Sequence, residues 1–317
     1  MSAAYPLRAS KAAEAGAPAG RPGAAGVPGP GAAPIPGRAA SVLVGLIGSG
    51  IQASRTPALH EREGAEQGLA YVYKLVDVDA LGLSPDALPD LIAAARRFGF
   101  AGLNVTHPFK QAVIPLLDDL SPEARALGAV NTVVFDRGRA VGHNTDWWGF
   151  ARSFERDLAD VSRARVVQVG AGGAGAAVAH ALLTLGVGAL AVIDTDPSRA
   201  ERLAADLSGR FGSGRAVAAT DVAAAVAAAD GLVNTTPVGM DKYPGLPLDA
   251  ELLRGDLWVA DIIYFPLETE LLRRARRLGC RAMGGGGMAV FQAVGAFRLF
   301  TGLEPDAQRM AEHFSRM

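Results

Sequence analysis

A glycine-rich turn between two apolar segments is the clearest place for chemistry in this chain. It follows the apolar run that begins at Val166, and an alanine-rich stretch of helical period leads from it to a second apolar segment ending at Asp194. The turn consists of Gly170, Ala171, Gly172, Gly173, Ala174 and Gly175. This pattern predicts a strand, a tight turn, a helix and a second strand, which together form a βαβ unit.

The glycines of such a unit have separate physical tasks. One permits the sharp turn from strand to helix, one lets the backbone approach a pyrophosphate, and Gly175 lets the helix pack closely on the strand. The free N–H groups at the start of the helix attract phosphate oxygens. Because a carboxylate at Asp194 can accept hydrogen bonds from a ribose diol, the unit predicts a dinucleotide-binding site.

A second polar cluster follows the apolar segment that ends near Asn104. The sequence NVTHPFK at 104–110 places Asn104, Thr106, His107 and Lys110 where a predicted strand gives way to a helix. Ligands commonly bind at that position in an open α/β sheet. The same residues could equally be turn and cap residues followed by a solvated lysine, so the spacing leaves both interpretations open.

Two shorter segments carry the same ambiguity. Ser54 and Thr56 lie just before Pro57, where Thr56 is a natural N-cap that would need no ligand. Asn144 and Asp146 directly precede a predicted helix. A structural role and a ligand-binding role are both compatible with these positions.

The composition argues against several classes of function. The chain has 317 residues, a formal net charge of −1 and no basic run, so no nucleic-acid partner is expected. No apolar stretch approaches the ~20 residues of a membrane span, so no membrane partner is expected either. The single cysteine, Cys280, indicates a reducing, cytoplasmic compartment. The five histidines lack the spacing of a metal site, and no metal is predicted.

The elements that must position these residues alternate between strands and helices. The pattern predicts an α/β protein with a mostly parallel sheet in the first half, a hairpin about residues 136–139, and a second α/β domain of Rossmann type. In that second domain the sequence TTPVGM at 235–240 forms a turn where the backbone could approach a cofactor. Residues 1–40 are rich in alanine, glycine and proline and are predicted to be a disordered tail.

Taken together, these segments resemble the shikimate/quinate dehydrogenase family over residues 41–317. The matching stretches are SRTP (54–57), NVTHPFK (104–110), GAVNT (128–132), NTD (144–146), GAGGAG (170–175), NTTPVGM (234–240), YFPLETELL (264–272) and MAVFQAVGAF (288–297). The resemblance implies a substrate-binding catalytic domain at 41–145, a Rossmann domain at 146–286, and a C-terminal segment, 287–317, that returns to complete the first domain.

The resemblance also implies roles for individual residues. Lys110 and Asp146 would be the catalytic pair, with Lys110 removing the proton of the C3 hydroxyl as hydride leaves C3 for the nicotinamide. Ser54 and Thr56 would hold the substrate carboxylate. The other implied substrate-binding residues are Asn104, Thr106, Asn131, Tyr264 and Gln292. The implied cofactor-binding residues are those of the glycine turn together with Asp194, Arg199, Thr235, Thr236, Pro237, Met240, Gly285 and Met288.

The residues after the second Rossmann strand bear on the choice of cofactor. NADP-dependent members of the family have Asn-Arg-Ser or Asn-Arg-Thr there, whereas this chain has Asp194-Thr195-Asp196. A carboxylate at this point accepts the ribose hydroxyls and repels a 2′-phosphate, which favours NAD, although Arg199 could reach such a phosphate. The pairing of this acid with Thr56 resembles the NAD-dependent quinate/shikimate dehydrogenases of actinobacteria.

These observations predict a monomeric or homodimeric enzyme that interconverts quinate and shikimate with their 3-dehydro forms, using NAD. The alternatives are an NADP-dependent biosynthetic shikimate dehydrogenase and an aminoshikimate or aminoquinate dehydrogenase. A methylene-tetrahydrofolate dehydrogenase would not be expected to carry SRT, NTD and the Gln292 helix together. The intact pair Lys110 and Asp146 argues against a catalytically silent NAD-binding sensor.

Overall fold

The computed structural model describes residues 40–317. Apart from Ala40, the predicted disordered tail at residues 1–40 lies outside the described residues. The described chain forms two six-stranded sheets, one from strands that precede residue 145 and one from strands that follow residue 164. The predicted α/β class with two mostly parallel sheets is confirmed.

The first sheet combines parallel strands with one antiparallel hairpin. Its strands are β1 (Ser41–Gly48), β2 (Ala70–Asp77), β3 (Gly102–Val105), β4 (Asp119–Leu120), β5 (Thr132–Asp136) and β6 (Arg139–His143), in the order β2-β1-β3-β5-β6-β4. Strand β5 runs antiparallel to both of its neighbours, β3 and β6. The β5–β6 pair forms the predicted hairpin, where Arg137 and Gly138 have positive φ angles of 46° and 77°. A two-residue hairpin turn favours such angles because they match the twist of the flanking strands.

The second sheet is parallel throughout. Its strands are β7 (Arg165–Val169), β8 (Ala189–Ile193), β9 (Ala216–Ala218), β10 (Gly231–Asn234), β11 (Trp258–Asp261) and β12 (Arg281–Met283), in the order β12-β11-β10-β7-β8-β9. The direction in which strands are added reverses between β7 and β10, so a crevice forms at their carboxyl ends. This is the strand order of a dinucleotide-binding Rossmann fold.

Eleven α-helices flank the sheets in the described part of the chain. They are α1 (Thr56–Glu66), α2 (Leu88–Arg97), α3 (Phe109–Ala112), α4 (Pro122–Leu127), α5 (Asp146–Asp157), α6 (Gly173–Thr184), α7 (Pro197–Phe211), α8 (Val222–Ala227), α9 (Glu270–Arg277), α10 (Gly286–Thr301) and α11 (Ala307–Arg316). No helix within residues 40–317 is both long enough and apolar enough to cross a membrane.

The C-terminal helices return to the first sheet, as expected. Phe297 and Phe300 of α10 pack with Val44 of β1 in one apolar cluster. On α11, Arg309 forms a bidentate ion pair with Glu63 of α1, at 2.7 and 3.0 Å, and Glu63 is only 1% exposed. A buried charge needs such a partner, so this pair fixes α11 against α1.

A buried histidine lies in the same cluster. His60 of α1 is surrounded by the rings of Tyr71, Tyr73, Phe297 and Phe300, and its Nδ1 lies 3.1 Å from the Tyr71 hydroxyl. Burial lowers the pKa of His60 from 6.5 to about 3, because the surrounding apolar groups disfavour the charged imidazole. The folded protein therefore holds His60 neutral at pH values where the unfolded chain protonates it.

We expect acid destabilisation from this histidine. Between pH 6.5 and about 3 the unfolded chain binds a proton at His60 that the folded protein does not. The free energy of unfolding should therefore fall as pH is lowered, by up to about 1.4 kcal/mol per pH unit. Between pH 7.5 and 4.5, the melting temperature of His60→Leu should fall less than that of the wild type. The melting temperature of the control His313→Leu, on α11, should fall as much as that of the wild type. Parallel pH curves for the wild type and His60→Leu would contradict this assignment.

Candidate active site

Lys110 and Asp146 form a close pair where β3 and β6 end. Lys110 lies on α3, directly after β3, and Asp146 is the first residue of α5. Their Nζ and Oδ2 atoms are 2.6 Å apart, and their side chains are 28% and 12% exposed. The helix dipole of α5 favours a carboxylate at this position. The pair can therefore exchange a proton with a ligand while remaining largely shielded from water.

Asn131 fixes the orientation of the Asp146 carboxylate. Its side-chain amide donates to Asp146 Oδ1 at 2.8 Å, while Lys110 binds Oδ2. The Asn131 oxygen accepts from the Thr145 N–H at 2.7 Å, and the Asn144 oxygen accepts from the Asp146 N–H at 3.0 Å. Both carboxylate oxygens and the backbone beneath them thus have defined partners.

The network continues from Asn131 to the centre of the first sheet. The Thr132 hydroxyl donates to Asn131 Oδ1 at 3.0 Å and accepts from the Asn104 amide at 3.1 Å. Asn104 in turn accepts from the Tyr73 hydroxyl at 2.8 Å. Burial raises the pKa of Tyr73, which keeps this phenol as a donor. Sequence reasoning missed Tyr73 and Thr132, because both lie inside apolar strands where a core position is the ordinary expectation.

The structure excludes a capping role for Thr56. Arg55 occupies the N-cap position of α1, no side chain caps this end, and Thr56 is the first helical residue. The Thr56 N–H instead donates to Ser54 Oγ at 3.3 Å. The Thr56 hydroxyl has no hydrogen-bond partner among residues 40–317. Thr106, at the end of β3, likewise has a hydroxyl without a partner in the described chain, so both hydroxyls can bind a ligand.

Gln292 and Tyr264 lie in the second half of the chain. Gln292 is half-buried on α10, which packs along α5, and its amide donates to Ala289 O at 3.1 Å. Tyr264 follows β11 and is 50% exposed, with its ring 6.4 Å from that of Phe314. These two predicted substrate-binding residues have polar groups left for a ligand.

The glycine turn has the geometry that its sequence predicts. Gly170 has a φ of +103°, which a residue with a side chain rarely adopts. A Cβ on Gly175 would lie 2.4 Å from the Gly170 carbonyl oxygen, so only glycine allows α6 to pack this closely on β7. At Gly172 and Gly173 an added Cβ would meet nothing within 4 Å. The start of α6 therefore presents uncapped N–H groups to open space, as a pyrophosphate requires.

Asp194 lies at the end of β8 beside this turn. Its Oδ2 accepts from the Ala171 N–H at 2.7 Å, and its Oδ1 accepts from the Asp196 N–H at 2.9 Å. A cavity of about 160 Å³ adjoins it. The cavity is lined by Ile193, Asp194, Pro197, Ala219, Thr220 and Val222, among others. An acid beside a small, partly apolar cavity is suited to an adenosine group.

Arg199 is paired with an acid in the structure. Its Nε lies 3.5 Å from Asp196 Oδ2, and Asp196 also caps α7 by accepting from the Ser198 N–H at 3.0 Å. The Ser198 hydroxyl and N–H hold the pKa of Asp196 below its usual range, with a further contribution from the charge of Arg199. Two carboxylates thus lie after β8, followed by Arg199, which is paired with Asp196, and by Arg202, which donates to the Ser198 hydroxyl at 2.9 Å.

The threonine side chains of the loop after β10 form hydrogen bonds within the protein. The Thr235 hydroxyl contacts Val169 O at 2.9 Å and Gly170 O at 2.8 Å, and the Thr236 hydroxyl donates to Asn234 Oδ1 at 2.7 Å. Both threonine side chains therefore support the turn. Their N–H groups are also bonded within the protein, to Val169 O at 2.8 Å and to Asn234 Oδ1 at 3.0 Å, which leaves their carbonyl oxygens for a cofactor. Pro237 continues the loop, and Met240 is 37% exposed at its far end.

A buried acid anchors this loop. Asp261 at the end of β11 accepts from the Asn234 amide at 3.1 Å and from the Thr269 hydroxyl at 2.8 Å, and it is fully buried. Burial raises the pKa of Asp261 to about 6, although these hydrogen bonds act in the opposite direction. The sequence analysis did not identify Asn234 and Asp261 as site residues. Each is a polar residue at the end of an apolar strand, and that position could have indicated them.

Gly285 and Met288 lie at the start of α10. Gly285 packs against the backbone of Ile262, and Met288 is 8% exposed. The packing of the main chain alone accounts for a glycine at 285. Among residues 40–317, no three His, Cys, Asp or Glu side chains are grouped so that they could hold a metal ion.

Comparison with known proteins gives consistent matches. The shikimate dehydrogenase substrate-binding domain family matches residues 46–133, and the ThiF family matches residues 148–202. The shikimate dehydrogenase (NADP(+)) of Streptomyces avermitilis is 63% identical over 272 residues, which cover 85% of this chain and 94% of that protein. The quinate/shikimate dehydrogenase (NAD(+)) of Corynebacterium efficiens is 53% identical over 277 residues, which cover 86% and 98%.

The solved structures include a quinate dehydrogenase from Corynebacterium glutamicum in complex with NAD. It has a TM-score of 0.83 and 52% sequence identity, and the match covers 87% of this chain and 99% of that one. The relatives agree on a dehydrogenase that uses a nicotinamide dinucleotide, and they differ in whether that dinucleotide carries a 2′-phosphate.

Proposed function

The chain belongs to the shikimate dehydrogenase family of NAD(P)-dependent oxidoreductases, and we propose that this member oxidises quinate and shikimate at C3 with NAD. The observation that carries the choice of NAD is the acid at the end of β8. Asp194 is held beside the glycine turn by the Ala171 N–H, at 2.7 Å, and retains lone pairs for a ribose diol. A 2′-phosphate at that point would meet two carboxylates, since Asp196 follows.

In this proposal the two halves of the chain bind different ligands. Residues 41–145, completed by 287–317, would form the substrate domain, and residues 146–286 would form the cofactor domain. The open backbone at Gly172 and Gly173 supports a pyrophosphate at the start of α6, because no side chain obstructs it. Bound NAD would supply the hydride acceptor.

The free hydroxyls of the first half support a substrate role. Ser54 and Thr56 would bind the carboxylate of the cyclitol, and Thr106, Asn104 and Gln292 would bind its ring hydroxyls. Asn131 has all of its polar atoms engaged with Thr132, Thr145 and Asp146. Its contribution would therefore include positioning the catalytic carboxylate as well as any contact with substrate.

Proton transfer would pass through Lys110. As C3 loses hydride, the neutral Lys110 amine takes the proton of the C3 hydroxyl. In the reducing direction, its ammonium returns that proton to the C3 oxygen. Asp146, at 2.6 Å, holds the lysine nitrogen in place and stabilises its charged form.

An NADP-dependent shikimate dehydrogenase is the second candidate. It is favoured by the 63% identity to the Streptomyces avermitilis protein, which is named for NADP. For NADP to bind well, Arg199 would have to leave Asp196 and pair with the phosphate. Initial rates with NAD and NADP, each crossed with quinate and shikimate, separate the two candidates.

We expect Lys110→Ala to lower kcat by about 10²–10⁴-fold, the usual contribution of a general base. NAD affinity, followed by fluorescence titration, should be unchanged, because the cofactor would bind to the other sheet. The control is Lys74→Ala, which removes an exposed lysine from β2. A normal kcat in Lys110→Ala would show that another group takes the proton.

Asp194→Ser should reverse the preference for cofactor. It removes the acceptor for the ribose diol and one of two repelling charges, so kcat/KM should fall about tenfold with NAD and rise with NADP. Asp206→Ser removes an exposed acid elsewhere on α7 and should change neither value. A wild-type preference for NADP would rule out the proposed role of Asp194.

Thr56→Ser should affect quinate more than shikimate. Quinate carries a hydroxyl on C1 beside its carboxylate, and the stiffer χ1 of threonine aims its oxygen with less loss of entropy. We expect kcat/KM for quinate to fall relative to shikimate by about 1 kcal/mol. Melting temperature should not change, because Thr56 does not cap α1. Equal losses on both substrates would contradict a role in choosing between them.

A further inference from the structure

Arg55 lies in the sequence between Ser54 and Thr56, the two residues proposed to bind the substrate carboxylate. Its guanidinium carbon lies 5.6 Å from the ring centroid of Phe265 and 5.7 Å from that of Phe314. Both distances are in the range of a cation–π contact. Within residues 40–317, Arg55 forms no ion pair, and the two rings are its defining contacts.

The two rings belong to different parts of the molecule. Phe314 lies on α11, which the Glu63–Arg309 ion pair already attaches to α1. Phe265 lies in the loop after β11, the strand that also carries Asp261. The contact with Phe314 is therefore made within the first half, whereas the contact with Phe265 joins the start of α1 to the second sheet.

Burial does not explain the position of Phe265. Its ring is 55% exposed, and the neighbouring Tyr264 is 50% exposed. Apolar packing alone would hold so exposed a ring weakly, because little of its surface is removed from water. The guanidinium of Arg55 gives the ring a specific partner of fixed direction.

We propose that Arg55 is a positioning residue that fixes Ser54 and Thr56 relative to the 264–266 loop by stacking its guanidinium between Phe265 and Phe314. The inference rests on the proposed function, since it assumes that Ser54 and Thr56 hold the substrate carboxylate. Because the backbone of Arg55 is continuous with both, loss of the stack frees their hydroxyls to move relative to the cofactor side of the cleft. The carboxylate then binds to a less ordered site.

The test compares Arg55→Met with Phe265→Leu in the full-length enzyme. Methionine keeps an unbranched apolar side chain but removes the guanidinium, and leucine keeps apolar bulk but removes the ring. Each change should raise KM for shikimate about tenfold with a smaller effect on kcat, and should leave NAD affinity unchanged. Arg55→Lys should give an intermediate KM, because an ammonium lacks the planar face that stacks on two rings.

A double-mutant cycle identifies the contact itself. If Arg55 acts through Phe265, the double variant should be little worse than either single variant, so the effects on kcat/KM are not additive. Arg62→Met is the matched control, because Arg62 lies on the same helix and pairs only with Glu66 on the surface. Its KM should equal that of the wild type.

The outcomes are distinct. Unchanged KM in both Arg55→Met and Phe265→Leu, or strictly additive effects, would overturn the inference. A lower melting temperature and a weaker NAD affinity alongside the higher KM would also overturn it, since they would indicate a general structural role. If Arg55→Met does not fold, Phe265→Leu decides alone, because its exposed ring can be replaced with little loss of packing. A wild type inactive on both cyclitols would instead refute the proposed function.

Discussion

The carboxylate of Asp146 is the point on which the arrangement of the site depends. One oxygen binds Lys110 at 2.6 Å and the other binds Asn131 at 2.8 Å, and the same residue begins α5. Since α5 carries the chain from the first sheet into the second, the pair proposed to transfer the proton lies where the two halves join. A change in the direction of α5 would therefore move the acid relative to Lys110, which lies on α3.

The second half depends on a buried acid in a comparable way. Asp261 accepts three hydrogen bonds, and within residues 40–317 it pairs with no cation. Burial raises its pKa to about 6. Near neutral pH its carboxylate is ionised although burial disfavours the charge, and it accepts the hydrogen bond that fixes Asn234. Asn234 fixes Thr236, and Thr235 braces the glycine turn at Gly170. The open backbone at the start of α6 is thus supported from three strand ends.

The sequence predicted those features that are encoded locally. The glycine turn, the hairpin at 136–139 and the acid after β8 each follow from residues a few positions apart, and the structure has all three. The hydrogen-bond network from Tyr73 to Asn131 joins residues on three strands that no local period connects, so it could not be predicted.

At Thr56 a local pattern gave the wrong expectation. Serine or threonine before proline usually caps a helix, yet here the helix begins at Thr56 itself. For TTPVGM the sequence predicts that the backbone of the turn approaches a cofactor, and it gives no indication that the Thr235 and Thr236 hydroxyls bond to the protein.

Overall identity does not decide the cofactor of this chain. Relatives at 63% and 53% identity are named for NADP and NAD respectively, so the global similarity points both ways. NAD and NADP differ by one phosphate, which in the proposed binding mode would lie beside the side chains after β8. Around it this chain has Asp194, Asp196 and an Arg199 that is already paired. Binding a phosphate there would require separating the Arg199–Asp196 ion pair and approaching two carboxylates. Arg202, whose guanidinium donates to the Ser198 hydroxyl at 2.9 Å, is a second cation at the start of α7. The proposal of NAD therefore rests on the local charges after β8 and not on overall identity.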